Sequence, residues 1–233
     1  MQDFIVWIDC EMTGLDIEKD HLIEIAVLIT DKDLNVVAQG PEIVIHQSEE
    51  VMNNMNGKYI VHFDPYGSPF HLDWCKTHHG EASPIRSTTA TTSSNPCLYM
   101  QSGLTAKVLA SSIDIAQAEE QVLQFIQHHV PSPGMAPLAG NTVHTDKRFL
   151  EKEMPRIVKW LHYRIIDVST VKELTRRWHV VLVTLCLPIL TKSTRYPDLP
   201  KMNKKEVHRA MDDIKESIEE LRYYRQHVFV KGP

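Results

Sequence analysis

Ile5-Val6-Trp7-Ile8 runs directly into Asp9-Cys10-Glu11, and no other stretch restricts the fold so sharply. Residues 4 to 8 are aromatic or β-branched and apolar, the signature of a buried strand. Side chains alternate along a strand, so Asp9 and Glu11 share a face a few ångströms apart. Two carboxylates so placed repel each other, and removal from water adds to the cost. A bound divalent cation removes that conflict. On this stretch alone, the two acids could equally be a strand end that caps a turn into Thr13-Gly14.

The rest of the chain has to fit around that strand. Its 233 residues suffice for one domain with a sizeable core. Cys10, Cys75, Cys97 and Cys186 are scattered and form no CxxC pair, which points to a reduced intracellular compartment. Met1 lies only a few residues before the first strand, so no signal or transit peptide is expected in this chain. The apolar run from Val180 to Leu190 is too short to span a bilayer and is interrupted by Thr184 and Pro188, so no membrane partner is expected. A net charge of -5 argues against tracking long nucleic acid by phosphate neutralisation, and leaves room for a short anionic substrate.

Three strands are expected first: residues 4–8, His21 to Thr30, and Val36 to Ile45 with a bulge at Gly40-Pro41. Short links, including the polar turn Asp31-Lys32-Asp33, make them an antiparallel meander. Ile115 to Val130 carries Ala118, Val122, Phe125 and Ile126 on one helical stripe. A short buried strand at 137–141 then precedes a helix opening near His144, and a strand at 163–168 precedes a helix capped by Ser169 or Thr170 and ending near Trp178. The last helix places Val207, Met211, Ile214, Ile218 and Leu221 at three- and four-residue spacing. This order predicts an α/β domain, a mixed sheet flanked by helices.

Two further motifs carry acids. Gly140-Asn141-Thr142-Val143-His144-Thr145-Asp146 puts Asp146 in a first helical turn, where the helix dipole alone would favour an acid. His208-Arg209-Ala210-Met211-Asp212-Asp213 could by itself be a polar helix start. Together the three motifs offer four carboxylates and a histidine, the inventory for two-metal phosphodiester hydrolysis. Cys75 with His78 and His79 is only half of a zinc site, and no second CxxC or HxxxH accompanies it.

The three motifs closely resemble those of the oligoribonuclease family, small 3′-to-5′ exonucleases of the DEDD superfamily in the branch with a histidine base. Trp74-Cys75-Lys76-Thr77-His78-His79-Gly80, Ser102-Gly103-Leu104-Thr105 and His162 to Thr170 also look like that family. The resemblance implies a ribonuclease H-like fold and a substrate of very short RNA, down to dinucleotides. It implies Asp9, Glu11, Asp146 and Asp213 as ligands of two Mg²⁺ or Mn²⁺ ions, with His208 as general base. Ideal helical spacing would instead bring Asp212 closer to His208, but His208 is expected in the loop before the helix. The resemblance further implies that Leu15 and Trp74 wedge or stack on bases, and that His79 and Thr142 contact substrate. Tyr163, Arg164 and Ser169 match positions that reach across a homodimer to cap the 5′ phosphate. A mitochondrial or cytoplasmic location is expected with it.

Three stretches depart from the resemblance, at about 57–72, 81–101 and 179–194, each in a connection rather than inside a motif. They are read as atypical insertions into a single domain spanning residues 1–233, some of them translated intron. Gly57-Lys58-Tyr59 is what a splice-donor string would encode. Two competing functions follow. One is a general 3′-to-5′ exonuclease on longer RNA or DNA, and the other an inactive oligonucleotide-binding isoform.

Overall fold

The computed structural model describes residues 3–54, 62–63, 69–70, 103–178 and 209–229. Its chain opens with three strands, β1 (Ile5–Met12), β2 (Leu22–Thr30) and β3 (Val36–Val44). After α1 (Glu49–Asn54) comes a small antiparallel pair, β4 (His62–Phe63) and β5 (Pro69–Phe70), inside the first atypical stretch. Helices α2 (Leu104–Ala110) and α3 (Ile115–His129) lead to β6 (Pro137–Gly140), then α4 (His144–Glu153) and α5 (Pro155–Trp160). The chain continues through β7 (His162–Asp167) and α6 (Val168–Trp178) to α7 (Ala210–His227). No helix among the described residues is long and apolar enough to cross a membrane.

The main sheet has the order β3-β2-β1-β6-β7. Strands β1 to β3 form the antiparallel meander, whereas β6 and β7 run parallel to β1. The meander follows from its links. Asp31 turns the chain between β2 and β3, its Oδ1 accepting the N–H groups of Asp33 at 2.8 Å and Asn35 at 2.9 Å. Ala26 pairs with Glu42 and Leu28 with Gln39, so Val27 faces both Gly40 and Pro41 and the expected bulge is there. A Cβ on Gly40 would lie 2.6 Å from the Phe125 ring, so only glycine lets α3 pack this close.

The sheet buries both faces. Val6, Ile8 and Cys10 point into a core with Ile25, Val27 and Ile29 and with the apolar sides of α3, α4 and α5. Ile5 and Trp7 point the other way, onto Ala26 and Leu28 and onto Ala210, Met211, Ile214 and Ile218 of α7. Complete burial of each Ile or Leu stabilises by roughly 1.5–3 kcal/mol, so these two layers hold β1 and its neighbours rigidly. Trp7 satisfies its indole by donating to Thr30 Oγ1 at 2.9 Å. Asp114 starts α3 with a reciprocal capping box to Gln117.

The first strand runs beyond its apolar residues 4–8 to Met12, with Asp9 to Glu11 paired to Glu24 to Ala26 of β2, as the expected alternation of the two acids requires. Other expectations need correction. The start of α6 is held by Asp167, whose Oδ1 accepts the Ser169 N–H at 3.0 Å, rather than by Ser169 or Thr170. Helices α1, α2 and α5 are too short for a readable apolar period. Val207 and the stretches 81–101 and 179–194 lie outside the described residues.

Candidate active site

The second half of β1 carries the site. Asp9 and Glu11 share the face of Ile5 and Trp7, the face that α7 covers. The first turn of α7 brings Asp213 to them. One carboxylate oxygen from each of Asp9, Glu11 and Asp213 can be chosen so that all lie within 4.8 Å of one another. Glu11 is buried, Asp9 and Asp213 partly so, whereas Asp212 points to solvent. Of the two neighbouring acids it is therefore Asp213 that the fold brings to β1.

Asp146 approaches from the other side of the sheet, on α4. Past the paired part of β6 the Cys10 N–H donates to Asp146 Oδ1 at 3.0 Å, which ties the first turn of α4 to β1. Asp146 is buried, so it is not merely an exposed acid at a helix start. Burial pushes its carboxyl up to about 8, with Glu11 and Asp167 adding to the rise and two backbone hydrogen bonds opposing it. Asp9 is held well above the usual carboxylate range by burial, then by Asp146, Glu11 and Asp213. The charged neighbours that act most on Asp9, Asp146, Glu11, Asp213 and Glu24, are all acids. Hard oxygen donors so crowded, with raised proton affinity, fit a divalent cation of the Mg²⁺ or Mn²⁺ type.

Around this cluster lie the residues expected at the substrate. Leu15 is 53 % exposed at the tip of a tight loop. Asp20 organises that loop: its Oδ1 accepts from Thr13 Oγ1 at 3.1 Å and its Oδ2 from the Asp16 N–H at 2.8 Å. The Asp20 carboxylate fills the space beside Gly14, where a Cβ would meet it at 2.4 Å.

The carboxyl ends of β6 and β7 form a second polar group, in the crevice where parallel α/β sheets place their ligands. Thr142 adopts a left-handed φ of 55°. Its N–H donates to Asp167 Oδ1 at 3.0 Å and Ser169 Oγ at 2.9 Å, and the Thr142 and Ser169 hydroxyls are 2.9 Å apart. Ser169 thus meets Thr142 within one chain. Tyr163 is 75 % exposed on the edge strand β7, and the Arg164 guanidinium lies 5.3 Å from its ring centre. Trp74, His79 and His208 lie outside the described residues.

Two features escaped the sequence reading. His144 Nδ1 is 3.0 Å from Asp167 Oδ2 at the crevice mouth. Glu24, fully buried in β2, is gripped by Arg209, with Nη2 at 2.6 Å and Nε at 3.1 Å, and Arg209 also reaches Glu42 at 2.6 Å. A signal for Glu24 was present, since it is the only charged residue between Leu22 and Thr30.

The exonuclease family profile RNase_T matches residues 6–64 and 100–221 and skips 65–99. The mitochondrial oligoribonuclease of Homo sapiens is 45 % identical over 231 residues, covering 99 % of this chain and 76 % of its own. A probable oligoribonuclease of Dictyostelium discoideum is 45 % identical over 225 residues, covering 97 % of this chain and 90 % of its own. Among solved structures, exonuclease I from Methylocaldum szegediense superposes with a TM-score of 0.56 at 13 % identity, over 97 % of this chain. The chain spans 41 % of that protein, so this likeness speaks to the fold, which is ribonuclease H-like. Acids from three separated motifs meet on a sheet of this order, and sequence similarity runs through nearly the whole chain: the chain belongs to the oligoribonuclease family of exonucleases.

Proposed function

We propose that this 3′-to-5′ exoribonuclease hydrolyses very short RNA, dinucleotides upward, to nucleoside 5′-monophosphates at the cluster of Asp9, Glu11, Asp213 and Asp146. The observation that carries the reading is the convergence of three carboxylate oxygens within 4.8 Å on the rigid end of β1, with Asp146 beside them. Two divalent cations, Mg²⁺ or Mn²⁺, supply charge neutralisation and water activation when bound there. Asp9 and Glu11 are fixed by the sheet, and Asp213 and Asp146 by α7 and α4, so the donors need little rearrangement to hold them. His208, joined directly to Arg209 at the start of α7, takes the proton from the attacking water.

The rim sets length. Leu15 and Trp74 wedge or stack on bases, His79 and Thr142 contact the substrate, and Ser169, its hydroxyl 2.9 Å from that of Thr142, caps the 5′ phosphate together with Tyr163 and Arg164. In a homodimer, the exposed Tyr163 and Arg164 on the edge strand of one subunit close the far end of the partner's site. A closed end leaves no room for an upstream nucleotide, and makes a long basic groove unnecessary. We place the protein in mitochondria or cytoplasm, by analogy with the human relative's name. We read residues 57–72, 81–101 and 179–194 as insertions into one domain; the family profile leaves 65–99 unmatched, which includes parts of the first two, and runs through the third.

The test is turnover by the full chain with Mn²⁺ on a labelled dinucleotide and on a heptamer. Mononucleotide release should be much faster from the dinucleotide, and Tyr163→Ala should narrow the gap. Equal rates on both would favour a general exonuclease. Binding without release would favour the inactive isoform.

A further inference from the structure

Glu24 and Glu11 stand directly opposite each other across β1 and β2, on the same face of the sheet. Like charges so placed are unfavourable, and Glu24 is completely shielded from water. Its counter-charge is Arg209, 185 residues away in sequence. The guanidinium holds the carboxylate through Nε and Nη2, a forked geometry that a lysine ammonium cannot reproduce. From the same Nη2 it also reaches Glu42 on β3. Arg209 is the N-cap of α7, and its carbonyl accepts the Asp213 N–H at 3.0 Å. Glu24 Oε2 additionally lies 3.4 Å from the Ala210 N–H.

These contacts join into one connection. Glu24 is rigid in the sheet, Arg209 is locked onto Glu24, and the first turn of α7 hangs from Arg209 by the bond that fixes the Asp213 backbone. We infer that Glu24 and Arg209 are a positioning pair, which sets the first turn of α7 so that Asp213 meets Asp9 and Glu11. The inference rests on the functional reading above and adds residues that never touch the cation or the substrate. It also divides the acids of this face into two sets. Glu24 and Glu42 have their cation in the chain, and are thereby kept out of the set that binds an external one.

The expected sign of one substitution separates positioning from electrostatics. Arg209→Gln removes a positive charge near an acidic cluster, which by charge alone should tighten Mn²⁺ binding. Positioning predicts the reverse. The experiment compares the full-length chain with its Arg209→Lys, Arg209→Gln and Glu24→Gln/Arg209→Gln variants. It measures Mn²⁺ affinity by electron paramagnetic resonance, amide exchange across residues 210–213, thermal unfolding, and kcat and KM on a dinucleotide.

We expect Arg209→Gln to weaken Mn²⁺ binding by about tenfold, and to lower kcat by at least that factor with KM little changed. Arg209→Lys should fall between it and the wild type, with faster exchange confined to the first turn of α7. The double variant removes both buried charges, so it should recover Tm without recovering kcat. Recovery of kcat in step with Tm, or unchanged or tighter Mn²⁺ binding in Arg209→Gln, would overturn the inference. A wild-type chain that neither binds Mn²⁺ nor releases mononucleotides would sink the functional reading instead. The exchange rates at 210–213 would still decide the positioning role.

Discussion

Two groups of carboxylates lie close together at one end of the sheet and have opposite fates. Glu24 and Glu42 meet Arg209, whose own proton affinity rises chiefly through its hydrogen bonds to Glu24. Asp9 on the neighbouring strand β1 and Asp146 on α4 meet burial and other acids, which push their carboxyls up. The first group is complete in the polypeptide. The second is built from strongly held elements, and the neighbours that act most on Asp9 are themselves acids. One arginine lies between the first pair of acids, whereas the converging oxygens of Asp9, Glu11 and Asp213 fit an external cation. The contrast separates structural from functional acid more sharply than burial does, because both groups contain buried members.

The largest expected effect comes from breaking the second group. Asp213→Asn should lower dinucleotide turnover by roughly 1,000-fold or more, as loss of a metal ligand removes several kcal/mol of transition-state stabilisation. Asp212→Asn, one residue away on the solvent side, should retain most of it. The reverse outcome would move the site to the other acid. A smaller effect concerns what surrounds the group. Removing residues 57–72, 81–101 and 179–194 together should raise both solubility and kcat/KM, because Trp74 and His79 flank the first two stretches and the third precedes His208, while the metal ligands sit on core elements. Measured side by side, a full chain already as soluble and active as the trimmed one would show the stretches to be native loops.

How much of this was readable beforehand depended on the range of the interaction. The meander, the bulge at Gly40-Pro41 and the stripe on α3 follow from local period and turn chemistry. The choice of Asp213 over Asp212 was open to helical arithmetic, yet the resemblance pointed to the acid that the structure brings to β1. What stayed hidden was long-range pairing. In the sequence Glu24 is one acid within an otherwise apolar strand, and Arg209 is a motif residue to which no role was assigned. Only the fold, by stacking α7 on β2, shows that each is the other's reason. Asp167 likewise fell within the strand expected at 163–168 with no role assigned, although it holds Thr142, His144 and Ser169 together.

The most direct test of the acidic cluster uses protons and metal together. In the metal-free folded chain Asp146 titrates at about 8 and Asp9 is also raised. Both therefore keep protons that the unfolded chain releases near pH 4, its usual carboxyl range being about that value. Their contribution to stability is full below that pH and is lost as pH rises towards 8. A cation needs the deprotonated form, so Mn²⁺ affinity should move the opposite way. Mn²⁺ titration of the full chain, followed by electron paramagnetic resonance at pH 6 and pH 8, measures this without any substrate. Binding should be tighter at pH 8 by roughly fiftyfold, and Asp9→Asn should abolish it at both values. Affinity that is independent of pH and unchanged in Asp9→Asn would contradict the account, because the cluster would then hold no cation.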